Sequence, residues 1–349
     1  MVPGPAIGKY HALFGYPLSR NSQICPSHFP TRHACAWINE RKQDSYTPAM
    51  RRRPLRNGKR YRAVSLFGVL AIATVLMSWP SAHRGHEPGP VEFKAAAVPT
   101  PAHIVVVVEE NRSQTNIIGN KSAPYINQLA AGGAMMAQSF AEVHPSEPNY
   151  YALFAGNTLV KDNVCPVNAG NTPNLGSQLL AAGYTFVGYA ESLPAPGSAE
   201  CKAGKYARKH VPWVSFSNIP ASYSLPFSAF PAPASYASLP TVAFVTPNLD
   251  NDMHDGSIAA GDAWLYQNLS QYAEWAKANN SLLILTWDED DNTSRNQIPT
   301  VIYGANVRPG AYSEPISHYN VLSTLEQMYG LPKLGYATRA PAITDIWGA

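Results

Sequence analysis

His103-Ile-Val-Val-Val-Val-Glu109-Glu-Asn-Arg-Ser113 is an apolar run that stops at two carboxylates. A short, continuous apolar run of this kind predicts a strand buried on both faces. Polar and acidic residues directly after a buried parallel strand lie at the carboxyl edge of its sheet, where α/β folds place their sites. Two later runs have the same form. Thr241-Val-Ala-Phe-Val245 leads into Pro247-Asn-Leu-Asp-Asn-Asp-Met-His-Asp255, and Ser281-Leu-Leu-Ile-Leu-Thr286 leads into Trp287-Asp-Glu-Asp-Asp291.

Further strands are expected at 135–140, 184–189 and 298–303. Helices are expected over 124–131, closed by Gly132-Gly133, from Tyr151 to Ala155, over 175–182 and 258–278, and from His318 through Leu325 to Tyr329. Strands alternating with helices predict a three-layer α/β/α fold with a mostly parallel central sheet. Residues 190–240, rich in Pro, Ser and Ala, are expected to be an irregular, substrate-facing excursion.

The three strand ends carry Glu109/Glu110 with Asn111, Asp250/Asp252/Asp255, and Asp288 to Asp291. Acidic clusters at equivalent strand ends point to one carboxylate-lined site, and closely spaced carboxylates need cations to offset their repulsion. His254 and His318 fall in the same loop layer. Oxygen and imidazole ligands together suit a divalent metal such as zinc, manganese or calcium, without fixing which. The turn His144-Pro-Ser-Glu-Pro-Asn-Tyr150 puts a serine between a strand and a helix. The N–H groups of the helix start can hold an anion there, which makes Ser146 the candidate nucleophile. Taken alone, the same turn also reads as a Pro-rich loop with Ser146 as an N-cap.

The chain has 349 residues, 45% hydrophobic and 14% charged, enough for one sizeable core or at most two domains. Its net charge of +3 is concentrated in an N-terminal basic block, so no nucleic-acid footprint stands out and no nucleic-acid partner is expected. Residues 1–49 lack periodicity, hold Cys25 and Cys35, and are expected to be an over-extended gene model. From Met50, the basic segment Arg51 to Arg62 precedes the uncharged stretch Ala63 to Ala82, so 50–82 is expected to be a secretory signal. That stretch is also just long enough for an uncleaved membrane anchor. Residues 83–101 read as a Pro-rich linker and 102–349 as one catalytic domain. In an exported chain Cys165 and Cys201 would most simply form a disulfide.

In this order, Glu-Glu-Asn-Arg-Ser, His-Pro-Ser-Glu-Pro-Asn-Tyr, Asp-Asn-Asp-Met-His-Asp, Thr-Trp-Asp-Glu-Asp-Asp and Ser-His-Tyr resemble the phosphoesterase family of secreted acid phosphatases and phospholipases C. That family belongs to the alkaline-phosphatase superfamily. The resemblance implies a secreted phosphomonoesterase with a phosphoserine intermediate, with phosphatidylinositol 3-phosphate a candidate substrate. Within the enzyme class the alternative is a phospholipase C-type phosphodiesterase. Outside it, the alternative is a catalytically inactive surface binding protein.

By the same resemblance Ser146 is the nucleophile, with His254 and His318 as further catalytic or ligating groups. Glu110 with Asn111, Asp250 or Asp252, Asp288 and Glu289 are the metal ligands. Many relatives have Asp-His or Asp-Asp where this chain has Asp288-Glu289, which leaves one ion or two open. Arg208, Lys209 and His210, with Lys205, either line an anion pocket facing a membrane surface or form a basic loop beside Trp213. A monomer is expected. His144 and Asn149 read as scaffold of the serine turn.

Overall fold

A computed structural model describes residues 97–348. The expected gene-model extension (1–49), the signal segment (50–82) and the first part of the linker lie outside these residues. Residues 97–101, expected to end the linker, instead pack on the body. Val98 lies against the core, Thr100 Oγ1 donates to Met328 O at 3.0 Å, and Tyr329 OH donates to Pro101 O at 3.1 Å.

The strands are β1 (His103–Glu109), β2 (Ala134–Met136), β3 (Ser139–Phe140), β4 (Phe186–Ala190), β5 (Lys202–Ala203), β6 (Tyr206–Ala207), β7 (Ser224–Pro226), β8 (Val242–Thr246), β9 (Ser281–Trp287), β10 (Thr300–Gly304), β11 (Gly310–Tyr312) and β12 (Ile316–Ser317). The helices are α1 (Gln114–Ile117), α2 (Pro124–Gly132), α3 (Ser146–Ala155), α4 (Leu175–Ala181), α5 (Ile258–Ala278) and α6 (His318–Met328). One eight-stranded sheet has the order β11-β2-β10-β9-β1-β8-β4-β7. The opening run of the sequence is its centre: β1 pairs in parallel with β8 and β9. Only β10 runs antiparallel to its sheet neighbours β9 and β2.

The apolar run of β1 serves two cores at once, because alternate side chains of a strand point to opposite faces. Ile104, Val106 and Val108 pack with Leu153 and Phe154 of α3, Leu179 of α4 and Leu325 of α6. Val105 and Val107 pack with Ile126 and Leu129 of α2 and Leu265 and Leu269 of α5. Each fully buried Val or Ile stabilises by roughly 1.5–3 kcal/mol, so a polar substitution in this run would strike both layers. The expected α/β/α class is the observed one.

Two expected strands are displaced. Residues 135–140 divide into β2 and β3, which belong to different sheets: β2 pairs β10 and β11, while β3 pairs β12. The strand expected from Ile298 starts at Thr300, after Pro299, which has no N–H to give a ladder. The small parallel ribbon β3/β12 matters for the site, since β12 leads directly into α6 and β3 into the turn before α3. Gly156 closes α3 in the left-handed region (φ 69°), and a Cβ there would meet Leu334 O at 2.4 Å.

Only part of residues 190–240 lies by the acidic strand ends. β7 extends the sheet edge beside β4, and Phe227 packs on Trp264 of α5 with ring centroids 4.9 Å apart. The β5/β6 hairpin and the 3-10 turn Arg208–His210 are the part that approaches the strand ends.

One buried carboxyl of α6 predicts a pH effect on stability. Glu326 Oε1 accepts from Leu334 N at 2.8 Å, while Oε2 has no partner. Burial pushes this carboxyl up to about 7, against the opposing pull of the Leu334 N–H and the Lys333 charge. The folded state therefore keeps a proton that the unfolded chain releases from about pH 4.5 upward, and the contribution of Glu326 declines as pH rises from 4.5 to about 7. Glu326→Gln is expected to flatten the pH dependence of Tm across that window. An unchanged slope in thermal unfolding would remove Glu326 from this role.

Candidate active site

The three acidic strand ends are laced together by their backbones. Glu110 N donates to Asp252 O at 2.8 Å, Asp288 N donates to Glu109 O at 2.9 Å, and Asn111 N donates to Asp288 Oδ1 at 3.1 Å. Asn111 takes the left-handed conformation (φ 53°), which Asn tolerates better than most residues, and this turns the chain away directly after Glu110. Glu109 shares its face of β1 with Val105 and Val107 and so points to the opposite layer. Its two oxygens have no partner, and burial, with the Asp252 charge next, pushes its carboxyl well above the usual range.

Ser146 is the first residue of α3 and is 2% exposed. The N-cap is Pro145 and no side chain caps the helix, so Ser146 is not a capping serine. Its hydroxyl sits between two carboxylates, 2.9 Å from Glu289 Oε1 and 3.2 Å from Glu110 Oε2. One of the N–H groups at the helix start is already engaged: Glu147 N donates to Asn163 Oδ1 at 2.9 Å.

Around Glu110 the donors converge. Tyr150 OH donates to Glu110 Oε1 at 2.6 Å. His210 lies between two acids, with Nε2 2.9 Å from Glu110 Oε1 and Nδ1 3.1 Å from Asp252 Oδ2. Its ring stacks on Tyr150 with centroids 5.3 Å apart. Burial alone would raise Glu110, but the His210 charge outweighs it and holds the carboxyl down at about 2. Burial alone would lower His210, but Glu110 and Asp252 raise it to about 9. Asp288 is pushed well above the carboxylate range by burial and by the charges of Glu110 and Glu289.

The two predicted histidines have different settings. His254 Nε2 accepts from Lys209 Nζ at 3.3 Å, so its Nδ1 carries the proton, donated to Asp255 Oδ1 at 2.9 Å. His318 is the buried first residue of α6, and its Nε2–H donates to Trp287 O at 2.9 Å. Burial lowers it to about 4. The ring is therefore neutral, with a buried Nδ1 lone pair that has no partner. That suits a ligand or acceptor better than a proton donor.

Three sequence expectations need correction. Asp250 does not join the buried carboxylates: its half-exposed side chain is paired with Lys205 Nζ at 2.5 Å, whereas Asp252 is buried against His210. Arg208 lines no anion pocket, because its guanidinium donates to Ala199 O at 2.8 Å, Val167 O at 3.3 Å and Val214 O at 3.4 Å. His210 is enclosed among acids and is not a surface cation. Of the predicted substrate-binding trio, Lys209 alone brings its charge to His254 as an open donor.

Sequence reasoning missed His210 as a partner of the acids, Asp255 as the group that orients His254, and Tyr150. It also read His144 as scaffold only, yet His144 Nδ1 lies 2.5 Å from Glu289 Oε2. Tyr150 follows Ser146 at four residues, one helical turn along the same face, which was a usable signal. Asp290 and Asp291 have other partners: Asp290 accepts from Thr293 N at 2.7 Å within its own loop, and Asp291 accepts from Asn116 Nδ2 at 2.9 Å.

The donors fit a divalent cation. Glu110, Asp252, Asp288 and Glu289 are all buried together, and Asp288 Oδ2 has no partner. Ligand-capable atoms of Glu110, His210 and His254 all lie within 4.8 Å of one another. A cation would replace the protons and the imidazolium charge that otherwise offset the repulsion.

The chain is similar to known proteins. The model of the phosphoesterase family matches residues 120–332. The phosphatidylinositol-3-phosphatase of Mycobacterium tuberculosis is 70% identical over 289 residues, covering 82% of this chain and 95% of that protein. An acid phosphatase of Aspergillus fumigatus is 31% identical over 229 residues, covering 59% of this chain and 51% of that one. A solved structure of an alkaline phosphatase superfamily protein from Vibrio parahaemolyticus superposes with a TM-score of 0.50 at 13% identity, covering 71% of this chain and 72% of that one, a likeness of fold. With a family match over most of the described residues and a relative aligned along nearly its whole length, this chain belongs to the phosphoesterase family.

Proposed function

We propose that this chain is an exported, metal-dependent acid phosphatase that hydrolyses phosphate monoesters through a phosphoserine at Ser146. The observation that carries the reading is the Ser146 hydroxyl, held at the start of α3 between Glu289 and Glu110. Glu289 Oε1, at 2.9 Å, is placed to take the hydroxyl proton as Oγ attacks phosphorus. The new Oγ–P bond forms as the bond from phosphorus to the alcohol oxygen breaks. Lys209 Nζ, beside His254 Nε2, is the donor available to the departing oxygen. Asp255 fixes the tautomer of His254, and Lys205 holds Asp255 in turn at 3.3 Å. Water then cleaves phosphoserine, which releases phosphate and restores the hydroxyl.

A divalent ion held by Glu110, Asp288 and Glu289, with Asp252, His210 and His254 for a second, would neutralise phosphate oxygens and lower the pKa of the serine hydroxyl. The relative's phosphatidylinositol-3-phosphatase name supports a phosphoinositide as substrate, and a substrate of that kind would bring the site to a membrane surface. The bond between Cys165 and Cys201 supports an oxidising compartment, hence export. No helix among the described residues is long and apolar enough to cross a membrane.

Purified protein is expected to release phosphate from p-nitrophenyl phosphate, to lose that activity with a chelator, and to regain it with added divalent cation. Turnover of bis(p-nitrophenyl) phosphate in preference to the monoester would replace the phosphatase reading with the phosphodiesterase. Binding without any turnover would make the chain a surface binding protein.

A further inference from the structure

A cavity of about 320 Å³ opens beside the candidate site. Lys209 and His254 line the side shared with the candidate site, and Val164, Leu249 and the disulfide Cys165–Cys201 supply apolar lining. Lys202 also lines it. We propose that this cavity holds the alcohol part of the substrate, and that Lys202 recognises a second anionic group on that alcohol. The proposal rests on the phosphomonoesterase reading above. It goes further by naming a residue that selects among monoesters: Lys202, as the group that reads a second anion on the alcohol.

The walls are built rather than incidental. Buried Glu147, the second residue of α3, accepts from Val164 N at 2.5 Å and so ties one wall to the nucleophile's own helix. Arg208 bridges Ala199 O and Val167 O, which lie on the two chain segments joined by the disulfide. The pocket is thus fixed relative to Ser146 before any ligand arrives, and preorganisation of this kind lowers the entropic cost of binding. The volume falls within the range of small-molecule sites.

The two lysines of the cavity differ in setting from their neighbour. Lys205 is neutralised by Asp250 and Asp255. Lys202 has no carboxylate partner among the described residues, and Lys209 Nζ contacts only the His254 ring. Asp255, the acid that also lines the cavity, is already shared between His254 and Lys205. One free ammonium at each part of a partly apolar pocket fits a ring with two anionic substituents. The reacting phosphate goes to the Lys209 end and the other anion to Lys202.

The test compares Lys202→Glu and Lys202→Ala with the parent on three substrates. These are p-nitrophenyl phosphate, soluble inositol 1,3-bisphosphate, and phosphatidylinositol 3-phosphate in phosphatidylcholine vesicles. The ratio of kcat/KM for each inositol substrate to that for p-nitrophenyl phosphate is expected to fall about tenfold in Lys202→Glu, through KM rather than kcat. Lys121→Glu, a surface charge change away from the cavity, should leave that ratio unchanged. Equal losses on all three substrates, or the same shift from Lys121→Glu, would overturn the proposal. A loss confined to vesicles would overturn it in favour of a lysine that meets the bilayer. Calorimetric binding of inositol 1,3-bisphosphate gives a readout apart from turnover. If the parent hydrolyses no monoester, the phosphatase reading fails, while weaker binding to Lys202→Glu would still support the pocket and unchanged binding would sink it.

Discussion

Ser146→Ala is expected to lower kcat on p-nitrophenyl phosphate by roughly four to six orders of magnitude, the scale seen when a covalent nucleophile is removed. The fold is expected to survive. Ser146 does not cap α3, and alanine is a better helix former than serine. Its hydroxyl contacts Glu289 and Glu110, and both acids keep other partners, His144 for the first and the Tyr150 hydroxyl and the His210 charge for the second. Unfolding free energy should therefore move by about 1 kcal/mol or less. Circular dichroism and thermal unfolding check the fold, and a burst-free progress curve checks the chemistry. A variant that retains a tenth of the parental rate would take Ser146 out of the mechanism.

The second large effect concerns His210. In chelator-treated protein, His210→Ala is expected to lower the unfolding free energy by about 3–5 kcal/mol, as loss of one partner of a buried ion pair does. For a domain of this size that is a Tm drop of roughly 6–20 °C. The reason is geometric: the ring stands between Glu110 at 2.9 Å and Asp252 at 3.1 Å, and its removal leaves two buried acids facing each other. The deficit carries a pH signature. Glu110, held down at about 2, contributes stability above its ordinary 4.5 that is lost as pH falls through 2. His210, raised to about 9, contributes stability below its ordinary 6.5 that is lost as pH rises through 9. The gap between variant and parent is thus widest from about pH 4.5 to 6.5. His210→Gln keeps much of the volume and separates lost charge from lost packing. A small gap that does not change with pH would reduce His210 to a packing residue.

The parts of this protein legible in its sequence are those set by local pattern. Continuous apolar runs marked β1, β8 and β9 because both faces of a parallel strand are buried, and the acids after them marked the carboxyl edge. The expected span 258–278 is the observed α5, where Ser257 caps the start by accepting from Ala260 N at 3.1 Å. What escaped was set by distant parts of the chain. Asp250 and Asp252 lie in one short turn, and only the fold decides that one meets Lys205 and the other His210. His210 sits in an irregular stretch with no periodicity, and its place depends on α3 and the β8 loop. Arg208 looked like a ligand for anions because charge is visible in a sequence, whereas carbonyl partners such as Ala199 O are not. The split of 134–140 was hidden because an apolar run does not announce a change of sheet.

The ribbon β3/β12 also has a consequence for the order in which the molecule becomes competent. Phe140, a few residues before Ser146, is clamped by Ser317, which is made well after it. Until that segment emerges and pairs, the turn ahead of α3 lacks one of its two edges, and His318 has not reached the Trp287 carbonyl. Long-range pairing of this kind forms late, since the loop must close before the contact can form. The surroundings of Ser146 are therefore incomplete until that pairing forms, and a partly made chain carries the serine without them.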